Sequence, residues 1–145
     1  MNEKRTPQSL LMVGAGGIGT QLSELLTAAL RRVGLEGTIT LMDADTVEAS
    51  NLGHQRYTAS DIGHPKVNRL AKRLDDAASS LRVEALEENL RSEEQLNGYD
   101  LVVVCVDRPE PRRMVHAIEV PWLDVRCSGD GWMALSSASQ PALLA

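Results

Sequence analysis

Two kinds of residue in this chain have the types and spacing that phosphate chemistry uses. "GAGGIG" (residues 14–19) sets Gly14, Gly16, Gly17 and Gly19 directly behind the apolar run "SLLMV". A G-x-G-x-x-G turn lets backbone approach a phosphate closely, and the free N–H groups of the helix behind it favour an anion. Asp43 and Asp45 close the next apolar run, "TITLM", where an acid is placed to bond a ribose hydroxyl. A further carboxylate, Asp107, follows the run "LVVVCV". Each has a structural alternative. The glycines could serve only a tight strand-to-helix turn, Asp43 could form a turn or cap, and Asp107 could cap the helix behind it.

What makes these residues one group is the set of elements that carries them. Residues 8–13 read as a buried strand ended by glycine. From Ile18 to Val33, apolar residues at Leu22, Leu25, Leu26, Ala29, Leu30 and Val33 have the spacing of one helix face, with Gly34 and Gly37 marking its end. "TITLM" (38–42) reads as a second strand, and residues 43–65 as a long loop with short turns. A loop this long inside a compact domain is usually either functional or a sign that an element has been misassigned. After Pro65 a helix is predicted, with Val67, Leu70, Leu74 and Ala78 on one face and Lys66, Arg69, Lys72 and Arg73 among its polar positions. "LRVEAL" (81–86) alternates like a strand, and "DLVVVCV" (100–106) reads as a central strand buried on both faces. Pro109 and Pro111 suit the first turn of a helix whose apolar side is Met114, Val115 and Ile118. "WLDVRC" (122–127) and "GWMAL" (131–135) are predicted strands joined by the turn "SGDG", and the tail "SSASQPALLA" carries little pattern. Alternating strands and helices predict an α/β fold with a mostly parallel sheet, in a single domain over residues 1–145. In such a sheet the glycines, Asp43, Asp45 and Asp107 all fall at carboxyl ends of strands, the edge where ligands bind.

Composition narrows the classes. Fifteen basic against 20 acidic residues leave a net charge of −5, which argues against a general nucleic-acid or anionic-membrane binder. The longest strongly apolar run has six residues, far short of the roughly 20 that span a bilayer. No apolar segment follows the charged start "MNEKRTPQS", so no secretory signal is expected. The two cysteines, Cys105 and Cys127, form no CxxC pair, which fits a reducing, cytoplasmic location. Cys105 is expected in the core, and no activating base is evident near Cys127.

The stretch "DADTVEASNLGHQRYTASDIGHPKVNRL" resembles the signature of the ThiF/MoeB and ubiquitin-activating-enzyme (E1-like) adenylating domains. The matching residues are Asp43, Asp45, Val47, Ser50, Asn51, Leu52, Gln55, Ile62, Gly63, Pro65 and Lys66, with the glycine loop at the right distance before them. The resemblance covers about residues 8–127. It implies a Rossmann-like fold, ATP and Mg2+ as cofactors, and adenylation of a C-terminal carboxylate with release of pyrophosphate. The substrate it implies is a ubiquitin-like or sulfur-carrier protein or a peptide, and the family commonly works as a homodimer or heterodimer. Carried over position by position, Asp43 would hold the ribose, Asn51 and Lys66 the phosphates, and Asp107 the magnesium; Asp45, Gln55 and the four glycines would complete the cofactor site. Read as residues alone, Asn51 could simply close a turn and Lys66 could be solvated at a helix start. A lysine and a magnesium ion would neutralise the charge that develops when a carboxylate attacks the α-phosphorus.

Three departures stand beside these matches. The family's arginine in S-N-L-x-R-Q is His54 here, and a neutral imidazole lacks a guanidinium's permanent charge and fork. Arg56, two residues on, is the candidate to replace it. The arginine that family members carry near the N-terminus would correspond at best to Arg5, and the fold is expected to be truncated relative to the family, without its C-terminal half. Two alternatives therefore accompany the enzyme reading: a non-catalytic nucleotide-binding subunit or interaction module of the same family, and an NAD- or FAD-binding oxidoreductase domain. The oxidoreductase reading gives Lys66 and Asp107 nothing to do.

Overall fold

The computed structural model describes residues 8–128 and 130–139. Six strands form one sheet: β1 (Ser9–Val13), β2 (Gly37–Met42), β3 (Leu81–Leu86), β4 (Leu101–Val104), β5 (Trp122–Ser128) and β6 (Gly131–Ser136). Their spatial order is β3-β2-β1-β4-β5-β6, parallel except for β6, which runs antiparallel to β5. β1 and β4 lie at the centre, and the connection reverses between them; that switch point is where open α/β sheets bind their ligands. The Rossmann-like α/β prediction thus holds, with one reversed edge strand. That reversal follows from how soon β6 starts, at Gly131, after β5 ends at Ser128, since parallel neighbours need a crossover.

Two apolar cores flank the sheet. One gathers Leu10, Met12, Ile39 and Leu41 against Val67 and Leu70 of the helix α2 (Lys66–Leu74). The other gathers Leu11, Val13, Val102 and Val104 against Val115 of the helix α3 (Pro109–His116). Alternate residues of β1 and β4 therefore serve opposite faces, which is why these strands read as continuous apolar runs.

The helix α1 (Gly17–Arg32) differs from its predicted face. Its buried positions are Gly19, Thr20, Ser23 and Thr27, while Leu22, Leu26 and Leu30 pack partly buried beside the core. Leu25 and Val33 are exposed, at 70% and 76%, and Ala29 is exposed as well. Small residues let the helix lie close on the sheet, and the leucines straddle that contact. Three further expectations are corrected. α2 stops at Leu74, so Ala78 is not on its face but exposed in the following turn. There the Asp75 carboxylate takes the Val83 N–H (2.9 Å) and the Arg82 guanidinium, leading the chain directly into β3. β4 ends at Val104 rather than 106, although the Cys105 N–H still donates to the Val13 carbonyl at 2.8 Å. α3 ends at His116, and Ile118 packs against the core from beyond it. Residues 43–65 form the predicted long loop, with 3-10 turns at Ala49–Asn51 and Ala59–Asp61. No helix among the described residues is long and apolar enough to cross a membrane.

Candidate functional site

A cavity of about 1090 Å³ lies over the carboxyl ends of β1, β2, β4 and β5. Its floor is the glycine loop, and the four glycines divide the work. Gly14 sits at φ +108°, a backbone conformation open mainly to glycine, and a side chain there would also strike the Cys105 carbonyl at 2.9 Å. Gly19 lies against the same turn: a Cβ on it would come within 2.1 Å of the Gly14 carbonyl oxygen. Gly16 and Gly17 border the cavity, whereas Gly19 does not. α1 starts at this loop with no side-chain cap and no acidic residue in its first turn, which leaves its N-terminal N–H groups to an anion.

Asp43 borders the cavity and braces the loop. Its Oδ2 accepts the Ala15 N–H at 2.8 Å and its Oδ1 the Asp45 N–H at 2.8 Å. Both oxygens retain lone pairs for a further donor. Tyr57, buried below the long loop, donates its hydroxyl to the Ala15 carbonyl at 2.7 Å. Burial, followed by the charge of Asp43, pushes the Tyr57 hydroxyl far above the ordinary tyrosine range, so it acts as a permanent donor. The glycine loop is thus held from β2 and from the long loop together.

Lys66 opens α2, and its residue is only 6% exposed although it borders the cavity. Its described ion partner is Asp45, whose Oδ2 lies 3.8 Å from Nζ. A buried ammonium with so long a contact is costly unless a ligand completes its pairing. Asp45 itself is exposed to the cavity. Gln55 packs its side chain over Gly16, and its buried Oε1 has no hydrogen-bond partner among the described residues. His54 also borders the cavity, its Nε2 3.5 Å from Gln55 Nε2. Asp107 lies exposed on the cavity wall just past β4.

Two predicted site residues are held elsewhere. Asn51 turns its Oδ1 to the Glu48 N–H (2.8 Å), capping the first 3-10 turn, and is not among the residues that border the cavity. Arg56 is drawn to Glu24 of α1, Nε to Oε2 2.7 Å, and does not border the cavity either. Glu24 also holds Arg73 at 2.7 Å, so the loop is tied to α1 and α2 through one carboxylate. Arg5 lies outside the described residues.

Sequence reading passes over a cluster on β5. Asp124 is fully buried, and the guanidinium of Arg126 reaches it at 2.7 Å and borders the cavity. The available signal is an acid at an inward position of an alternating strand, between Trp122 and Arg126 in "WLDVRC". Cys105 lies past the end of β4, partly buried and bordering the cavity, rather than within the strand. Burial, then the charge of Asp124, pushes its thiol up to about 12. Cys127 is exposed at the cavity wall.

Comparisons with known proteins show the family and the fold. The ThiF family model matches residues 2–129. The sulfur carrier protein adenylyltransferase of Thermus thermophilus is 40% identical over 119 residues, covering 79% of this chain and 42% of that protein. The molybdopterin-synthase adenylyltransferase of Haemophilus influenzae is 32% identical over 117 residues, covering 78% of this chain and 46% of that protein. The chain thus spans less than half the length of these relatives. Among solved structures, E. coli tRNA N6-threonylcarbamoyladenosine dehydratase, TcdA, in complex with ATP superimposes with a TM-score of 0.65 at 25% identity, over 79% of this chain and 49% of the other. E. coli MccB with MccA shares the fold, with a TM-score of 0.70 at 24% identity over 83% of this chain and 38% of the other. On these matches, and on the glycine loop and long loop described above, the chain belongs to the ThiF family.

Proposed function

We propose that this chain binds Mg-ATP and adenylates the C-terminal carboxylate of a ubiquitin-like or sulfur-carrier protein or a peptide, releasing pyrophosphate. The observation that carries the reading is Lys66: a nearly buried ammonium at the wall of a cavity floored by an uncapped glycine loop. A dinucleotide site needs the glycines and an acid at Asp43, but gives no purpose to this lysine.

The proposed roles follow from placement along the sheet edge. Asp43 keeps lone pairs for the ribose hydroxyls, and the N–H groups at the start of α1 meet the phosphates. Lys66 neutralises charge that grows on the phosphate oxygens as the carboxylate attacks, and does so where burial strengthens the attraction. Among the described residues no cluster of three or more His, Cys, Asp or Glu side chains could hold a metal unaided. Asp107, a hard oxygen donor at the cavity wall, would hold magnesium brought in with ATP. Bound so, it supplies further charge neutralisation. No protein nucleophile is required for this step.

A second reading, a nucleotide-binding subunit without turnover, rests on particular residues. His54 stands where the family has an arginine, Arg56 is committed to Glu24, and Asn51 is committed to its cap. ATP–pyrophosphate exchange with magnesium and sulfur-carrier proteins, run beside calorimetric ATP binding, separates the two. Exchange that disappears in Lys66→Ala and Asp107→Ala supports the enzyme. Binding without exchange for any carrier supports the subunit, and binding of NAD in place of ATP overturns both.

A further inference from the structure

Asp124 has no exposed surface, yet it is a carboxylate. Its register partner on β4 is Val104, a fully buried apolar residue, so an apolar side chain would suit the layer. Asp124 is instead clamped from two sides. His116 Nε2, at the end of α3, lies 2.9 Å from Oδ2, with its ring stacked on Trp122 at 4.1 Å between centroids and 14° between planes. From the other side, Arg126 brings Nη2 to 2.7 Å from Oδ2 and Nε to 3.2 and 3.1 Å from the two oxygens. A buried carboxylate is a costly device unless it is paired, and what this one holds still is a guanidinium.

That guanidinium is only partly consumed by the pair. Its side chain is 33% exposed and borders the cavity, and Nη1 makes no hydrogen bond among the described residues. Two other arginines, Arg91 and Arg108, border the cavity; both are exposed, and neither side chain has a described anchor. Arg126 is therefore the cavity arginine whose guanidinium is held in place.

Its place along the sheet edge says what it can meet. The order of strands puts Asp43 behind β2, the glycine loop behind β1, Asp107 behind β4 and Arg126 on β5. Neighbouring strands stand about 4.8 Å apart, so Arg126 belongs to a strand about 10 Å from the one that ends in the glycine loop. If ribose and phosphates occupy the β2 and β1 positions, the space beyond Asp107 is left to the second reactant. In adenylation that reactant is a carboxylate, the group a guanidinium edge matches best.

We propose that Arg126 binds the terminal carboxylate of the acyl substrate, and that Asp124 and His116 position it. The inference rests on the adenylation reading. One carboxylate oxygen is held at Nη1 and the other attacks the α-phosphorus. A carboxylate O–P bond forms, the bond from the α-phosphorus to the α,β-bridging oxygen breaks, and the electron pair leaves on pyrophosphate; no proton moves.

The test uses the full chain saturated with α,β-methylene-ATP. Calorimetry compares the C-terminal heptapeptide of a sulfur-carrier protein with the same peptide ending in a carboxamide. Wild type is expected to prefer the free acid by at least about tenfold, the lower range for a charge-assisted contact. Arg126→Gln should bind acid and amide equally, with affinity for the ATP analogue unchanged within about twofold. Arg126→Lys keeps the charge and loses the fork, and should retain part of the preference. His116→Phe, which keeps a ring against Trp122, should also lose part of it without loss of nucleotide affinity. A preference that survives Arg126→Gln, or a wild type that treats acid and amide alike while binding nucleotide, overturns the proposal and leaves the adenylation reading standing. A wild type that binds no ATP analogue overturns both.

Discussion

Lys66 and His54 face the same cavity and carry opposite lessons about charge. Lys66 is buried, with its one described ion partner at 3.8 Å, so replacing it by methionine keeps the volume and removes the ammonium. Lys66→Met is expected to lower ATP–pyrophosphate exchange by about 10²–10³, the range for removing one donor to developing charge, with its melting curve close to wild type. Exchange within threefold of wild type would remove Lys66 from the mechanism. His54 is exposed on the cavity wall where the family's arginine falls. His54→Arg restores a permanent cation there, and exchange should rise by about tenfold, equivalent to ~1.4 kcal/mol of barrier. No rise would mean that another group already fills that role. The thiols make a third test. Burial and Asp124 push Cys105 up to about 12, whereas Cys127 is exposed. At pH 8 iodoacetamide should label Cys127 well before Cys105, as read by peptide mass spectrometry. The sign for stability follows from the same shift. The folded state holds the Cys105 proton more tightly than the unfolded chain does, so this contribution is complete below about pH 9 and is lost as pH rises through about 12.

At the scale of elements, the junction of β1 and α1 is closely packed backbone against backbone. A Cβ on Gly19 would meet the Gly14 carbonyl carbon at 2.7 Å as well as its oxygen, and both are backbone atoms that cannot turn aside. Gly19→Ala should therefore push α1 off the loop, at a cost of about 1–3 kcal/mol in urea unfolding, with weaker ATP binding. Unchanged stability would show that the helix can slide freely. This junction was legible in the sequence because its demand is local: glycine spacing, an apolar run before it and an amphipathic run behind it. The order of elements, the long loop and the shared carboxyl edge were legible for the same reason. Tertiary choices were not. Leucine spacing in α1 marked a face, yet Thr20, Ser23 and Thr27 took the interior, because closeness of approach decided against hydrophobicity. Asn51 and Arg56 sit at plausible positions in the loop, but a 3-10 cap and Glu24 compete for their side chains. No pattern within residues 43–65 could reveal Glu24 as a competitor, since it lies on another element. Asp124 and His116 meet across eight positions, and only the packing of α3 on β5 joins them.

For the whole molecule, the consequence of this architecture is that nucleotide should act as a brace. The cavity is walled by the glycine loop, the start of α2 and the ends of β4 and β5, so one ligand spanning it touches segments drawn from most of the described chain. A ligand would add to the ties those segments already have, from Asp43 and Tyr57 to Ala15, from the Cys105 N–H to the Val13 carbonyl and from Glu24 to Arg56 and Arg73. A ligand that binds only the folded state adds about 2.7 kcal/mol at 100 times its dissociation constant, which for a domain of this size is a rise of several degrees in melting temperature. Mg-ATP should produce that rise, ATP with chelator a smaller one, and NAD none. Asp107→Ala should abolish the difference between ATP with and without magnesium, because it removes the carboxylate proposed to share the ion. These curves separate the readings without requiring the acyl substrate. Stabilisation by NAD in place of ATP would return the glycine loop to the oxidoreductase reading. Stabilisation by ATP that ignores both magnesium and Asp107 would point to a subunit that holds its nucleotide without preparing it for cleavage.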